Sequence, residues 1–196
     1  VETNTTGKQD RDMRDILATQ GRLTVRLEQD TYEEQPEGDS SAFLCAWHNR
    51  EFYVAPPGVK GHFDPQAVID QYKGTHWIFP LDAYIHSGVS LALAGEGGHW
   101  PDQQWDVSRN LGAIFCAKKE WRMRKKAEKY ARAVVEEWNQ YLSGDVWGYI
   151  VEDQDGETLE SVWGFYGSEY AEKEARAALA YQAEQCDKIP TLVALK

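Results

Sequence analysis

Apolar and polar residues alternate strictly over Arg22-Leu-Thr-Val-Arg-Leu-Glu28, placing Leu23, Val25 and Leu27 on one face of a half-buried strand. Two apolar runs, Phe43–Trp47 and Phe52–Ala55, flank His48-Asn49-Arg50-Glu51 and predict a β-hairpin that Pro56-Pro57-Gly58 closes. Asp64-Pro65 is a helix start, Asp as the cap and Pro in the first turn, with Val68, Ile69 and Tyr72 inward and Gly74 as the stop. Strands are predicted over 77–84 and 88–94, then a loop with Gly95, Gly97, Gly98 and Pro101, then a strand over 112–117. From Lys119 to Leu142, apolar residues recur every three or four positions (Met123, Ala127, Tyr130, Val134, Trp138, Tyr141), the stripe of an amphipathic helix ended by Ser143-Gly144. Asp155-Gly156 is the strongest hairpin turn signal in the chain. With those two residues as the turn, Trp147 faces Gly164 and Trp163 faces Gly148, each indole covering a glycine of the neighbouring strand. Ser168 opens a last helix reaching about Cys186, with Ala171, Ala175, Ala178 and Leu179 inward, and Pro190 lies beyond it.

These signals predict an α+β fold, a mainly antiparallel sheet of about six to eight strands with one long and one or two shorter helices packed on it. Residues 1–20 are polar and lack a stable period; they read as a flexible tail with a short helix at 12–19, leaving 21–196 as a single domain. At 196 residues the chain is long enough to bury a stabilising core without disulfides or a structural metal. Hydrophobic residues at 42% and charged residues at 27% exclude a chain disordered throughout. No apolar stretch is long enough to span a bilayer. No basic segment followed by an apolar one opens the sequence, so no signal peptide is expected. Cys45, Cys116 and Cys186 are odd in number and form no CxxC, which points to free thiols in a reducing cytoplasm.

The candidate chemistry is sparse. Five histidines (His48, His62, His76, His86, His99) show neither HExxH nor His/Cys ligand spacing, so no metal and no cofactor are expected. His86, Ser87, Asp102 and Asp106 are the one set that could converge on a hydrolytic or metal-assisted site, around the Gly-rich loop. Neighbours on a strand point to opposite faces, so His86 and Ser87 align only if a bend intervenes. No nucleophile elbow GxSxG exists, and Gly95-Glu96-Gly97-Gly98 lacks the Lys-Ser/Thr of a phosphate loop.

Charge changes the picture more. The chain carries −11 overall, which argues against broad binding to nucleic acid or anionic membrane. Yet 118–132 holds eight basic residues (Lys118, Lys119, Arg122, Arg124, Lys125, Lys126, Lys129, Arg132) against Glu120 and Glu128. Cations at a helix N-terminus are disfavoured by about 0.3–1 kcal/mol each. Either this helix docks on an acidic face such as 28–39, which has six acids and no base, or Arg122, Lys125, Lys126 and Lys129 bind an external anionic partner. The acidic remainder also has the charge of a DNA mimic.

Four stretches together carry a family resemblance: Trp77-Ile-Phe-Pro-Leu-Asp-Ala-Tyr-Ile-His-Ser-Gly88, Trp105-Asp-Val-Ser-Arg-Asn-Leu-Gly-Ala-Ile-Phe115, Tyr141-Leu-Ser-Gly-Asp-Val-Trp-Gly-Tyr149 and Trp163-Gly-Phe-Tyr-Gly167. Their order and spacing resemble a set of small uncharacterised proteins encoded by bacteriophages and prophages, over about 77–167. Two departures stand out: Ile85 occupies the place where that family tends to have Asp before the His, and the loop after Trp105-Asp106 is altered and enlarged. The resemblance implies a mobile-element gene acting in a bacterial cytoplasm and no particular activity. It suggests a non-enzymatic protein that engages a host or anti-phage-defence component, an inhibitor of defence or restriction among the options. An enzyme on His86, Ser87, Asp102 and Asp106 and a nucleic-acid-associated protein using the basic helix are the alternatives.

Overall fold

The computed structural model describes residues 16–32, 34–39, 41–47, 52–101 and 104–188. In chain order the elements are β1 (Ile16–Gln20), β2 (Leu23–Gln29), β3 (Ala42–Trp47), β4 (Tyr53–Val54), α1 (Pro65–Tyr72), β5 (His76–Ile85), β6 (Val89–Leu93), β7 (Val107–Ala117), α2 (Arg124–Leu142), β8 (Val146–Glu152), β9 (Thr158–Tyr166) and α3 (Ser168–Lys188). The fold is α+β with antiparallel pairing, as the sequence predicts. The described strands number nine rather than six to eight, and they form two sheets, β1-β2-β8-β9 and β4-β3-β7-β5-β6. The chain gathers into two compact units, Val1–Glu34 with Asp145–Lys196 and Gln35–Gly144.

In the unit Gln35–Gly144 the five-stranded sheet is covered on both faces. Period-two alternation in β3 sends Phe43 and Cys45 to one side and Leu44 and Ala46 to the other. The first side packs with Ala113, Phe115 and α1 residues Val68, Ile69 and Tyr72; the second packs with Leu81, Ile114, Cys116 and the α2 stripe Ala127, Ala131, Val135 and Trp138. Double coverage is why β3 reads as a nearly continuous apolar run. Phe115 is fully buried, worth about 1.5–3 kcal/mol for a side chain of this kind. Asp64 caps α1 as expected, its carboxylate accepting from Gln66 N at 3.0 Å. Met123, expected on the inner stripe of α2, instead stands at the N-cap and is 57% exposed.

The other unit has a four-stranded sheet with α3 on one face. Leu23, Val25, Tyr149 and Val151 meet Ala175, Ala178 and Leu179 there. Residues 16–20 belong to β1, not to a tail or helix: a two-residue turn at Gly21-Arg22 sets Gln20 opposite Leu23 and returns the chain as a hairpin. The rest of the expected tail, 1–15, lies outside the described residues.

The β8–β9 hairpin departs from the predicted geometry. Its turn runs over 153–157, where the Asp153 carboxylate accepts from Asp155 N and Glu157 N, both at 2.9 Å. Tyr149 then pairs with Val162, but a bulge follows and Trp147 pairs with Phe165, not Gly164. Gly164 takes φ +84° within that bulge. Trp163 does lie across Gly148, where an added Cβ would overlap its six-membered ring.

Candidate functional site

His86, Ser87 and Gly88 form the turn between β5 and β6. His86 N donates to Gly88 O at 3.1 Å, and Ser87 sits at φ +55°, so the bend that the pair required is present. Asp106, just ahead of β7, accepts from Ile85 N at 2.8 Å through its carbonyl. Its Oδ2 lies 2.9 Å from His86 Nδ1. Two of the four sequence candidates are therefore brought together, and Asp102 falls outside the described residues.

What is formed is a base held by an orienting carboxylate, without the next link. Among the described residues, Ser87 makes no hydrogen bond to His86, and the His86 side chain is 65% exposed. A general base needs its proton donor within about 2.6–3.2 Å. The contact ties the end of β5 to the start of β7. No three His, Cys, Asp or Glu among the described residues group so as to hold a metal. His76 packs edge-on to Phe43 and Tyr72, and burial followed by Lys118 and Lys119 lowers its pKa. His62 packs edge-on to Tyr53 and His99 lies tilted beside Trp100, while His48 is outside the described residues.

A carboxylate that sequence reasoning passed over has the more demanding position. Asp82 is 3% exposed at a bulge between Leu81 and Ala83, and accepts from Gly95 N at 3.1 Å and Asn110 N at 2.9 Å. Arg109 Nη1 lies 3.5 Å from it. Asp82 thereby pins the Gly-rich loop to β7. Its signal was present: one acid in an otherwise apolar strand core, Phe79-Pro-Leu-Asp-Ala83.

The basic run has the clearest surface. Met123 gives α2 no side-chain cap and its first turn carries no acid, so the N-terminal amides and four flanking cations share one end of the helix. Lys125, Lys126 and Lys129 share one exposed side of α2 opposite buried Ala127 and Ala131, and exposed Arg122 immediately precedes the N-cap Met123. Within this unit and among the described residues, none of the four has a carboxylate within 4.0 Å, whereas their neighbours are engaged. Arg132 reaches Glu96 at 2.7 Å and also Glu128; Lys119 reaches Glu120 at 3.7 Å. Lys118 Nζ donates to the carbonyls of Lys73 and Gly74, each at 3.1 Å, and lies 4.9 Å over the Trp77 ring. Arg124 stacks over Phe79 at 5.4 Å. No described acid of this unit pairs with the four-residue face.

No family model, curated protein or solved structure matches this chain. No helix among the described residues is long and apolar enough to cross a membrane.

Proposed function

We propose that this is a non-enzymatic binding protein of a phage or related mobile element, acting in a bacterial cytoplasm on a host or anti-phage-defence protein. The observation that carries the binding role is the basic face of Arg122, Lys125, Lys126 and Lys129 at an uncapped helix start, which no carboxylate among the described residues of its own unit reaches within 4.0 Å. Four cations held there at a cost are explained by an anionic surface that meets them in a complex. The mobile-element origin rests on the resemblance of the four sequence stretches alone.

Affinity capture from bacterial lysate, compared quantitatively between the wild type and the Arg122→Gln, Lys125→Gln, Lys126→Gln, Lys129→Gln variant, tests this. A host protein retained by the wild type and lost by the variant is the expected result. Identical captured sets would refute the assignment. The same exposed stripe also suits a phosphate backbone, the second reading. A gel shift with duplex and single-stranded DNA at two salt concentrations separates them: the proposal expects no specific shift from a chain of net −11. A salt-sensitive shift abolished by the quadruple variant assigns the face to nucleic acid.

A further inference from the structure

A second surface, on the other unit, carries opposite charge. Where the end of β2 and the residues after it meet β9, a cleft of about 890 Å³ is lined by Glu28, Asp30, Tyr32, Glu34, Trp163 and Tyr166. That volume falls within the roughly 300–1,000 Å³ typical of ligand sites. No cation is among its described lining residues. Glu28 is matched by Arg26 from β2 itself. Asp30 and Glu34 are not: among the described residues of this unit, no Lys, Arg or His comes within 4.0 Å of either carboxylate.

Asp30 is the more telling of the two. It is 8% exposed, and the one described donor to its side chain is Tyr32 N, 2.9 Å from Oδ1. An ionised carboxylate has about four acceptor sites. Burial without a cation is costly unless a charged donor completes the shell. The aromatic walls supply the other half of a cation site. Trp163, laid across Gly148, is 44% exposed, and Tyr32 is 92% exposed. Tyr166 is fixed by its hydroxyl, which donates to Glu34 O at 2.7 Å. Indole and phenol faces attract Lys and Arg through the ring quadrupole, and a guanidinium can at once donate to a carboxylate and stack on a ring.

We propose that this cleft binds the cationic side chain of an arginine or lysine in a basic segment of a partner protein. Charge complementarity selects the occupant: carboxylates repel a phosphate chain or an acidic peptide, and the volume exceeds that of a single guanidinium, leaving room for flanking residues.

The test is calorimetric titration of the full chain with short capped peptides of alternating Gly-Arg, Gly-Lys and Gly-Ser. Saturable one-to-one binding of the Arg or Lys peptide, with none for Gly-Ser, is expected. Tyr32→Ala, Glu34→Gln and Asp30→Asn should each weaken it about 3–10-fold, the scale of an exposed cation–π or charge contact. Tyr32 projects into solvent, so its replacement should leave the thermal midpoint unchanged and the result readable even if Asp30→Asn fails to fold. Glu157→Gln removes the same charge at the β8–β9 turn and should leave affinity intact. No saturable binding of either basic peptide, or an equal loss in Glu157→Gln, overturns the proposal.

Discussion

Trp163 lies across Gly148, its six-membered ring occupying the space that a side chain at Gly148 would need. The neighbouring Gly164 meets a different demand, with open space around it but φ +84°. Both should resist substitution, for unlike reasons. Gly148→Ala should cost about 1–3 kcal/mol by overpacking against the indole. Gly164→Ala should cost about 1–2 kcal/mol through the left-handed backbone alone. Urea unfolding checks both, and the double variant Gly148→Ala, Trp163→Ala should recover part of the first loss and none of the second.

Asp82, 3% exposed, accepts hydrogen bonds from the backbone amides of two exposed residues, Gly95 and Asn110. Replacing it with Ala should destabilise the chain by about 1–3 kcal/mol, the scale of hydrogen bonds lost to a charged acceptor, because water can take up the freed amides. Hydrogen exchange gives the local signature: the amides of Gly95 and Asn110 should lose protection before those of β3 do.

Glu137 on α2 has its carboxyl pKa raised, first by burial and then by the Asp39 charge. A folded-state value above the unfolded one gives a contribution that is full below the unfolded value, about 4.3, and is lost as pH rises through the folded value. At neutral pH the ionised group therefore opposes folding. Glu137→Gln should raise the thermal midpoint at pH 7, and the gain should shrink toward pH 4. A gain that grows on acidification contradicts the assignment.

Burial pushes the Cys45 and Cys116 thiols up to about 12, while Cys186 is exposed on α3. A thiol reagent at neutral pH should label Cys186 alone in the native chain and all three cysteines after unfolding.

Local signals were read well from the sequence. Asp64-Pro65 marked the start of α1, and Ala171, Ala175, Ala178 and Leu179 marked the inner side of α3. The failures are non-local. Nothing in the alternation of β2 says that it pairs with β8, more than a hundred residues on, rather than with a strand of the other sheet. Residues 16–20 have too few apolar positions to show a period, and only the Gly21-Arg22 turn, read as a hairpin, reveals β1. The β8–β9 register failed at Trp147 because a bulge inserts one residue where strict pairing allows none. For the candidate sites, the basic face was legible as spacing, but coordinates were needed to show that no described carboxylate of its own unit reaches it. The cleft at Asp30 was not legible at all: Trp163 and Asp30 lie far apart in the chain and meet only through the sheet.

The thermal midpoint of the Arg122→Gln, Lys125→Gln, Lys126→Gln, Lys129→Gln variant at low salt tests most directly whether this face is free for a partner. Internal ion pairs would contribute up to about 1 kcal/mol each if exposed, and their loss would lower the midpoint. Cations unpaired at a helix N-terminus instead repel one another and the helix dipole, by about 0.3–1 kcal/mol each. The account predicts a midpoint that stays level or rises, with the rise fading as salt is added. A fall of several degrees at low salt, diminishing with added salt, would show that the four cations serve the fold and leave the binding face without support.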